Sequence, residues 1–330
     1  MTARPLVDGF PEPVTVEGRA SVADLFPASR RCGLYVLYFA DGDIYAGKAA
    51  DVTRRYVQHR QAHADIQQMS FRCVARSKVD EEERALIWRL EADGHRLRNI
   101  IFTSLPKGVA DLDLVVSLDE QARWLDDHSH SDISGPRAVD PDLRRKYARR
   151  YARFAALDRS QEAIAVLQRY VQCAIPAPLR TELSFWAVSC LPAGNAKEPG
   201  ELVLARINLP WQVTLTVSEF GGDIDGSFFL AVSPLEQAYG KSLKWLEEHF
   251  PTIAETDNLL EPGGHDQINL IVSGAVEVRR FLEQPPVVAA MRLFNLRLMK
   301  KGGCSMYSRY HCLDLADRLL EPPAPGSRNL

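Results

Sequence analysis

GLYVLYFADGDIYAGKAADVTRRYVQH, Gly33 to His59, decides the fold of the first part of the chain. An apolar run is turned at Ala40-Asp41-Gly42, which reads as a β-hairpin, and the loop length settles which side chains share a face. A two-residue Asp-Gly loop pairs residues of unlike parity and puts Tyr35 and Tyr45 on opposite faces. A three-residue loop with Gly42 in the left-handed position pairs Phe39 with Asp43, Leu37 with Tyr45 and Tyr35 with Gly47, so both tyrosines face one way. Glycine opposite Tyr35 then leaves room beside the ring. Asp51 is placed to cap the next helix, on which Arg55 and His59, four apart, share a face.

Outward from this stretch, DEEERALIWRL reads as a second helix, near Asp80 to Glu91, stopped by Gly94. On it Glu83 shares a stripe with Leu86, Ile87 and Leu90, whereas Glu81 does not. A carboxylate on a core-facing stripe needs a partner, unless Glu83 closes a capping box begun by Asp80. From Cys32 to about Asp126 the expected order is strand, turn, strand, helix, strand, helix and further short strands. Residues 1–30 read as a Pro-interrupted leader packed against the first domain, with a short helical pattern at Ser21 to Phe26. The Ser-, Pro-, Gly- and Asp-rich segment HSHSDISGPRAVDPD marks a linker. The expected division is therefore a leader at 1–30, a domain at 31–127, a linker at 128–142 and a second domain at 143–330.

The second domain opens with LRRKYARRYARFAALDRSQEAIAVLQRYVQC, one long helix or two shorter ones. ELSFWAVSC, ELVLARI, WQVTLTVSEF, FFLAVS and QINLIVS have strand composition. SPLEQAYGKSLKWLEEHF and VVAAMRLFNLRLMKK read as helices, the latter apolar and basic enough to suit a partner surface and hence a homo-oligomer. The fold class expected is α+β throughout. GGHDQ, around His265 and Asp266, reads as a turn before a strand.

Composition sets wide bounds. A chain of 330 residues, 46% hydrophobic and 25% charged, accommodates two ordinary globular domains. A formal net charge of −3 offers no global attraction to nucleic acid, so any basic footprint is local. No stretch approaches the apolar length of a membrane span and no apolar leader segment opens the chain, which predicts a cytoplasmic protein. The six cysteines lack paired spacing and read as ordinary thiols; only Cys304, His311 and Cys312 cluster enough to raise a metal question, and the sequence places no fourth ligand near them.

The residues in order, Gly33-Leu34-Tyr35, Tyr45-Ala46-Gly47, Arg55, His59, Glu83 in ERALI and Asn99, resemble the GIY-YIG nuclease superfamily over about residues 32–100. Within it, YAGKAADVTRR is especially similar to the nucleotide-excision-repair nuclease subunit. Leu34 and Ala46 stand where the family has isoleucines, at middle positions that point away from the tyrosine face. The resemblance implies a small sandwich, a short antiparallel sheet flanked by helices, that hydrolyses DNA phosphodiesters with one Mg²⁺ or Mn²⁺ bound by Glu83. It implies that Arg55 holds the scissile phosphate and that one tyrosine takes a proton from the attacking water. A free phenol has a pKa of about 10, so that role needs help. Tyr35 is the favoured base, with Tyr45 orienting water or phosphate and His59 relaying the proton. Asn99 fixes either the local backbone or a metal-bound water. Lys48 matches the repair nuclease's lysine and, with Arg54 and Arg60, is a candidate phosphate contact.

Arg54, Arg60, Arg72, Arg76 and Lys78 read as a basic rim or as scattered surface charge, and LRRKYARRYARF as a solvated helix or a phosphate grip. Because the second domain shows none of the modules that accompany repair or homing enzymes, the leading expectation is a restriction or anti-phage endonuclease. The alternatives are a non-catalytic module that binds DNA or a partner, and a nuclease held inactive by a C-terminal sensor or oligomerisation domain.

Overall fold

A computed structural model describes residues 7–99, 110–127, 137, 139–192, 199–240, 244–256 and 262–321. The fold is α+β, and the chain divides into two compact units, Met1–Gly108 and Val109–Leu330. In the first, strands β1 (Val14–Thr15), β2 (Gly33–Phe39), β3 (Ile44–Ala49) and β4 (Ile66–Cys73) form an antiparallel sheet ordered β1-β4-β2-β3. Helix α1 (Val52–Ala62) joins β3 to β4, and α2 (Val79–Ala92) comes after β4.

The hairpin has the odd loop. Phe39 N donates to Asp43 O at 3.0 Å, Gly42 N donates to Phe39 O at 3.2 Å, and Gly42 takes φ 89°. Leu37 pairs with Tyr45 and Tyr35 with Gly47. All seven residues of β2 are buried, because a helix covers each face of the strand. Tyr35, Leu37 and Phe39 pack with Val52 and Tyr56 of α1, while Leu34, Val36 and Tyr38 pack with Leu86, Ile87 and Leu90 of α2.

Several expectations about this unit are corrected. The segment before Cys32 packs on the first domain as expected, but it is part of that domain's sheet and core rather than a separate leader: β1 pairs with β4, Val16 and Val22 are wholly buried, and Tyr56 Oη donates to Val16 O and Arg19 O. Ser21 to Phe26 forms turns, not a helix. Beyond α2, Leu97 makes a parallel bridge to Ile44. Part of the region expected to hold short strands lies outside the described residues, and the chain from Asp111 to Asp126 is helical: a 3₁₀ turn at Asp111–Leu114 and helix α3 (Leu118–Asp126), capped by Ser117 and Glu120. Leu112, Val116 and Trp124 sit in the core of the second unit. The first domain therefore stops about twenty residues short of the composition break at 128, since core membership, not polarity, sets the boundary.

In the second unit, α4 (Pro141–Ala155) and α5 (Ser160–Ala174) are separate helices, followed by the short α6 (Pro178–Thr181). Strands β5 (Ala187–Cys190), β6 (Leu202–Leu209), β7 (Gln212–Phe220), β8 (Asp223–Ala231), β9 (Ile253–Thr256) and β10 (Gln267–Ser273) make an antiparallel sheet ordered β5-β6-β7-β8-β10-β9. Helices α7 (Val232–Tyr239) and α8 (Lys244–His249) lie between β8 and β9. After β10 come α9 (Ala275–Leu282), α10 (Pro285–Met299), α11 (Ser305–Ser308) and α12 (Leu313–Leu320). Val217, Phe228 and Leu230 face a core shared with α5, α9 and α10.

The apolar and basic α10 is not a partner surface: it is a core helix with Val287, Met291, Phe294 and Leu298 wholly buried. Its cations are accommodated internally. The fully buried Arg292 donates to Cys173 O, Trp124 O and Asp127 O at the C-terminal ends of α5 and α3, where carbonyls lack helical partners. Arg297 pairs with Asp266, which also accepts from Ser233 N in the turn before β10. Among the described residues no helix is long and apolar enough to cross a membrane.

Candidate active site

The three-residue loop puts Tyr35 and Tyr45 on the α1 face, their rings stacked at 6.1 Å and 19°. Asp51 caps α1, accepting from Thr53 N at 2.9 Å and from Arg54 N. This fixes the helix phase so that Arg55 and His59 meet the tyrosines. Tyr35 Oη lies 2.6 Å from His59 Nε2, and Arg55 Nε donates to Tyr35 Oη at 3.3 Å. The Tyr45 and His59 rings are 4.5 Å apart.

Gly47 sits across the hairpin from Tyr35. A Cβ there would meet Tyr35 Oη at 2.7 Å and Tyr45 Cε1 at 2.9 Å, so only glycine leaves both rings in place. Tyr35 is 1% exposed, and Tyr45 is the more accessible of the two phenols.

Burial and the neighbouring Tyr45 push the Tyr35 phenol well above its ordinary value, against the pull of Arg55. Burial, then Arg55 and His63, push His59 down to about 4. His59 is therefore neutral at pH 7. Since Arg55 donates to the Tyr35 oxygen, the Tyr35 hydroxyl proton is directed to His59 Nε2, which assigns the remaining ring proton to Nδ1. The guanidinium of Arg55 is itself held above its ordinary range by the hydrogen bond to Tyr35, and it is exposed to solvent.

Glu83 is buried in the α2 stripe with Leu86, Ile87 and Leu90. It does not close its own helix: the position before Val79 is Lys78, which makes no side-chain cap. Instead Glu83 Oε1 accepts from Lys48 N at 3.0 Å, at the end of β3 one residue beyond Gly47. Its Oε2 lies 3.0 Å from Lys48 Nζ, which also pairs with Asp80. Lys48 is on the α2 side of β3, as the register requires. Burial works against its charge, but Asp80 and Glu83 outweigh that and hold the ammonium above its ordinary range. Asn99 clamps the backbone of Ala46, accepting from its N at 3.0 Å and donating to its O at 2.6 Å. Of the two roles left open for it, the backbone role is the one it occupies.

The expected basic rim is not one surface. Arg54 is exposed on α1, and Arg60 donates to Ala64 O past the end of that helix. Arg72 lies at a β4 position paired with Leu34, on the opposite face, and is bound to Glu82 at 2.9 Å. Arg76 and Lys78 are exposed between β4 and α2. Three participants escaped sequence reading. His63, one turn beyond His59, stacks on it at 6.2 Å and lowers its basicity. Asp80 gives the Lys48 ammonium a second seat. Arg98 ties Asp41, Asp43 and Asp65 together over the Phe39 ring, which pins the hairpin turn.

A hard divalent cation suits Glu83, a carboxylate with one oxygen anchored by a backbone N–H and the other facing an ammonium that has an alternative partner. Among the described residues no three His, Cys, Asp or Glu side chains gather to form a metal cage, so such an ion would rest on one carboxylate, water and substrate oxygens. In the second unit, His311 commits Nδ1 to Val188 N and Nε2 to Glu182, and the open face of the sheet holds a concavity of about 520 Å³ lined by Arg206, Thr216, Asp225, Ser227 and Asn269. Comparisons with protein-family models, curated protein sequences and solved structures each found no match.

Proposed function

We propose that the first unit is a divalent-metal-dependent endonuclease that hydrolyses DNA phosphodiester bonds. What carries the reading is the Tyr35 hydroxyl held between neutral His59 and the Arg55 guanidinium, next to a carboxylate anchored at the end of the same hairpin. In this reading His59 accepts the Tyr35 proton as Tyr35 takes one from the attacking water. Arg55, solvent-facing and permanently charged, holds the scissile phosphate and opposes charge growth in the transition state. Tyr45, beside both rings, orients water or phosphate. Asn99 keeps the backbone of the second triplet in place. Glu83 holds Mg²⁺ or Mn²⁺, which when bound supplies charge stabilisation at the phosphate or leaving oxygen. With the ion bound, Lys48 would keep Asp80 as its partner and, with Arg54 and Arg60, would contact flanking phosphates. A stand-alone restriction or anti-phage enzyme is the setting this reading carries.

One observation favours a second reading. At rest the proton stays on Tyr35, because its phenol is pushed up while His59 is pushed down, and Lys48 occupies Glu83. That is the ground state expected of a module that binds without cutting, or of a nuclease held inactive. Supercoiled plasmid incubated with Mg²⁺ or Mn²⁺ separates the two. The nuclease reading expects nicking or linearisation that disappears in Glu83→Ala and Arg55→Ala. Equal DNA binding by all three proteins with no cleavage by any would leave the binding module.

A further inference from the structure

Six cations and one aspartate fill the fifteen residues of α4, in a chain whose formal net charge is −3. The helix is not a solvated connector: Leu143, Tyr147 and Phe154 anchor it in the core of the second unit. That anchoring fixes what faces outward. Arg145, Arg149 and Arg153, at i, i+4 and i+8, form one exposed line, flanked by exposed Ala148, Ala152 and Ala156. Arg145 pairs with Asp142, whereas Arg149 and Arg153 have no ion-pair partner among the described residues. Like charges at this spacing repel one another and weaken the helix, so the line is not there for stability. A second element extends the patch. Lys146 Nζ and Tyr147 Oη both donate to Arg309 O, and the exposed Arg309 side chain lies over the ring of Tyr310, 42% exposed.

We propose that this face of α4, with Arg309, binds the phosphate backbone of duplex nucleic acid, giving the second unit a grip on the substrate that the first unit cuts. The inference rests on the nuclease reading for its partner, but not for its test. The three arginines are spaced about 6 Å apart along the axis and span about 12 Å. With one charge per about 3.4 Å on each strand, that length lies beside about three phosphates. The alanine stripe next to them offers no bulk to hold a backbone away. Nothing on this face is built to read bases, so the grip is independent of sequence.

The test is fluorescence anisotropy of a labelled duplex over a salt series, with Glu83→Ala as the parent so that no cleavage intervenes. Combining Arg145→Ala, Arg149→Ala and Arg153→Ala should weaken binding at least about tenfold at low salt. It should also flatten the dependence of log K on log salt by about 2 to 3, at about 0.9 for each phosphate no longer neutralised. The triple Lys variant keeps the charge and should keep the slope, and it also controls for folding. Unchanged affinity and slope in the triple Ala variant would overturn the proposal. So would unchanged duplex binding combined with lost binding to vesicles of anionic phospholipid, which would make the face a membrane contact. If the wild type cuts no duplex under any divalent ion, the nuclease reading fails while this result stands.

Discussion

Gly47 is held to glycine by its neighbours, not by its backbone, which does not occupy the left-handed region. Gly47→Ala therefore tests steric spacing alone. Seating the new methyl requires Tyr35 and Tyr45 to move apart, at about 1–3 kcal/mol as in other overpacked cores. Urea unfolding should register that loss. On the nuclease reading, displacing Tyr35 from His59 should also lower cleavage by about 10²-fold, the scale of an ångström-sized misplacement. A variant as stable and active as wild type would remove Gly47 from the site. His59 gives a pH prediction at the same scale. Its folded pKa of about 4 lies below the ordinary value of about 6.5, so as pH falls the unfolded chain takes up the proton first. The contribution of His59 is complete above about pH 6.5 and is lost progressively as pH falls toward about 4. His59→Gln keeps an acceptor for Tyr35 but does not titrate, so its unfolding free energy should fall less than wild type over that window. Parallel pH dependences would show that His59 is not held neutral by the fold.

At the level of elements, β3 and α2 are joined through one side chain, and substitution there separates structure from chemistry. Glu83→Gln retains an oxygen for Lys48 N and should hold stability within about 1 kcal/mol, whereas Glu83→Ala strands that N–H and should cost about 1–3 kcal/mol. Both should abolish cleavage if the charge of Glu83 is what the reaction uses, and cleavage by the Gln variant would contradict that. The hairpin and its register were legible because parity is a local rule: once the loop has three residues, Tyr35, Leu37 and Tyr45 have no choice of face. Asp51, Arg55, His59 and the Glu83 stripe came equally from helical spacing. The Lys48–Glu83 link was not legible, because it depends on where α2 crosses the end of β3. Nor was β1, whose two residues carry no periodicity and are strand only because β4 offers an edge. The stretch from Asp111 to Asp126, expected as short strands of the first domain, was assigned to the wrong unit because Leu112, Val116 and Trp124 declare their core only through tertiary packing.

Across the whole molecule the two units' hydrophobic cores do different jobs: in the first unit two clusters, one on each face of β2, position a hairpin and two helices around Tyr35, while the core of the second unit holds a six-stranded sheet and its helices. Arg292 shows how the second core admits charge. Burial pushes its guanidinium down to about 10 against the pull of the Asp127 charge, and it remains charged at pH 7 among the carbonyls of two helix ends. That is also why the sequence of α10 misleads, since an arginine amid apolar residues looks like a wet edge until the helix ends that receive it are in place. Arg292→Met conserves apolar volume but leaves those carbonyls unpaired, at a cost of about 1–3 kcal/mol for each acceptor that stays buried. Four of the five tryptophans, Trp124, Trp186, Trp211 and Trp245, belong to this unit, so fluorescence-detected unfolding should shift to lower denaturant. Amide exchange should speed up in α3 and α5 while protection in β2 and β3 holds, because no residue of the first unit's cores depends on Arg292. Equal loss of protection in both units would show that the two units unfold as one.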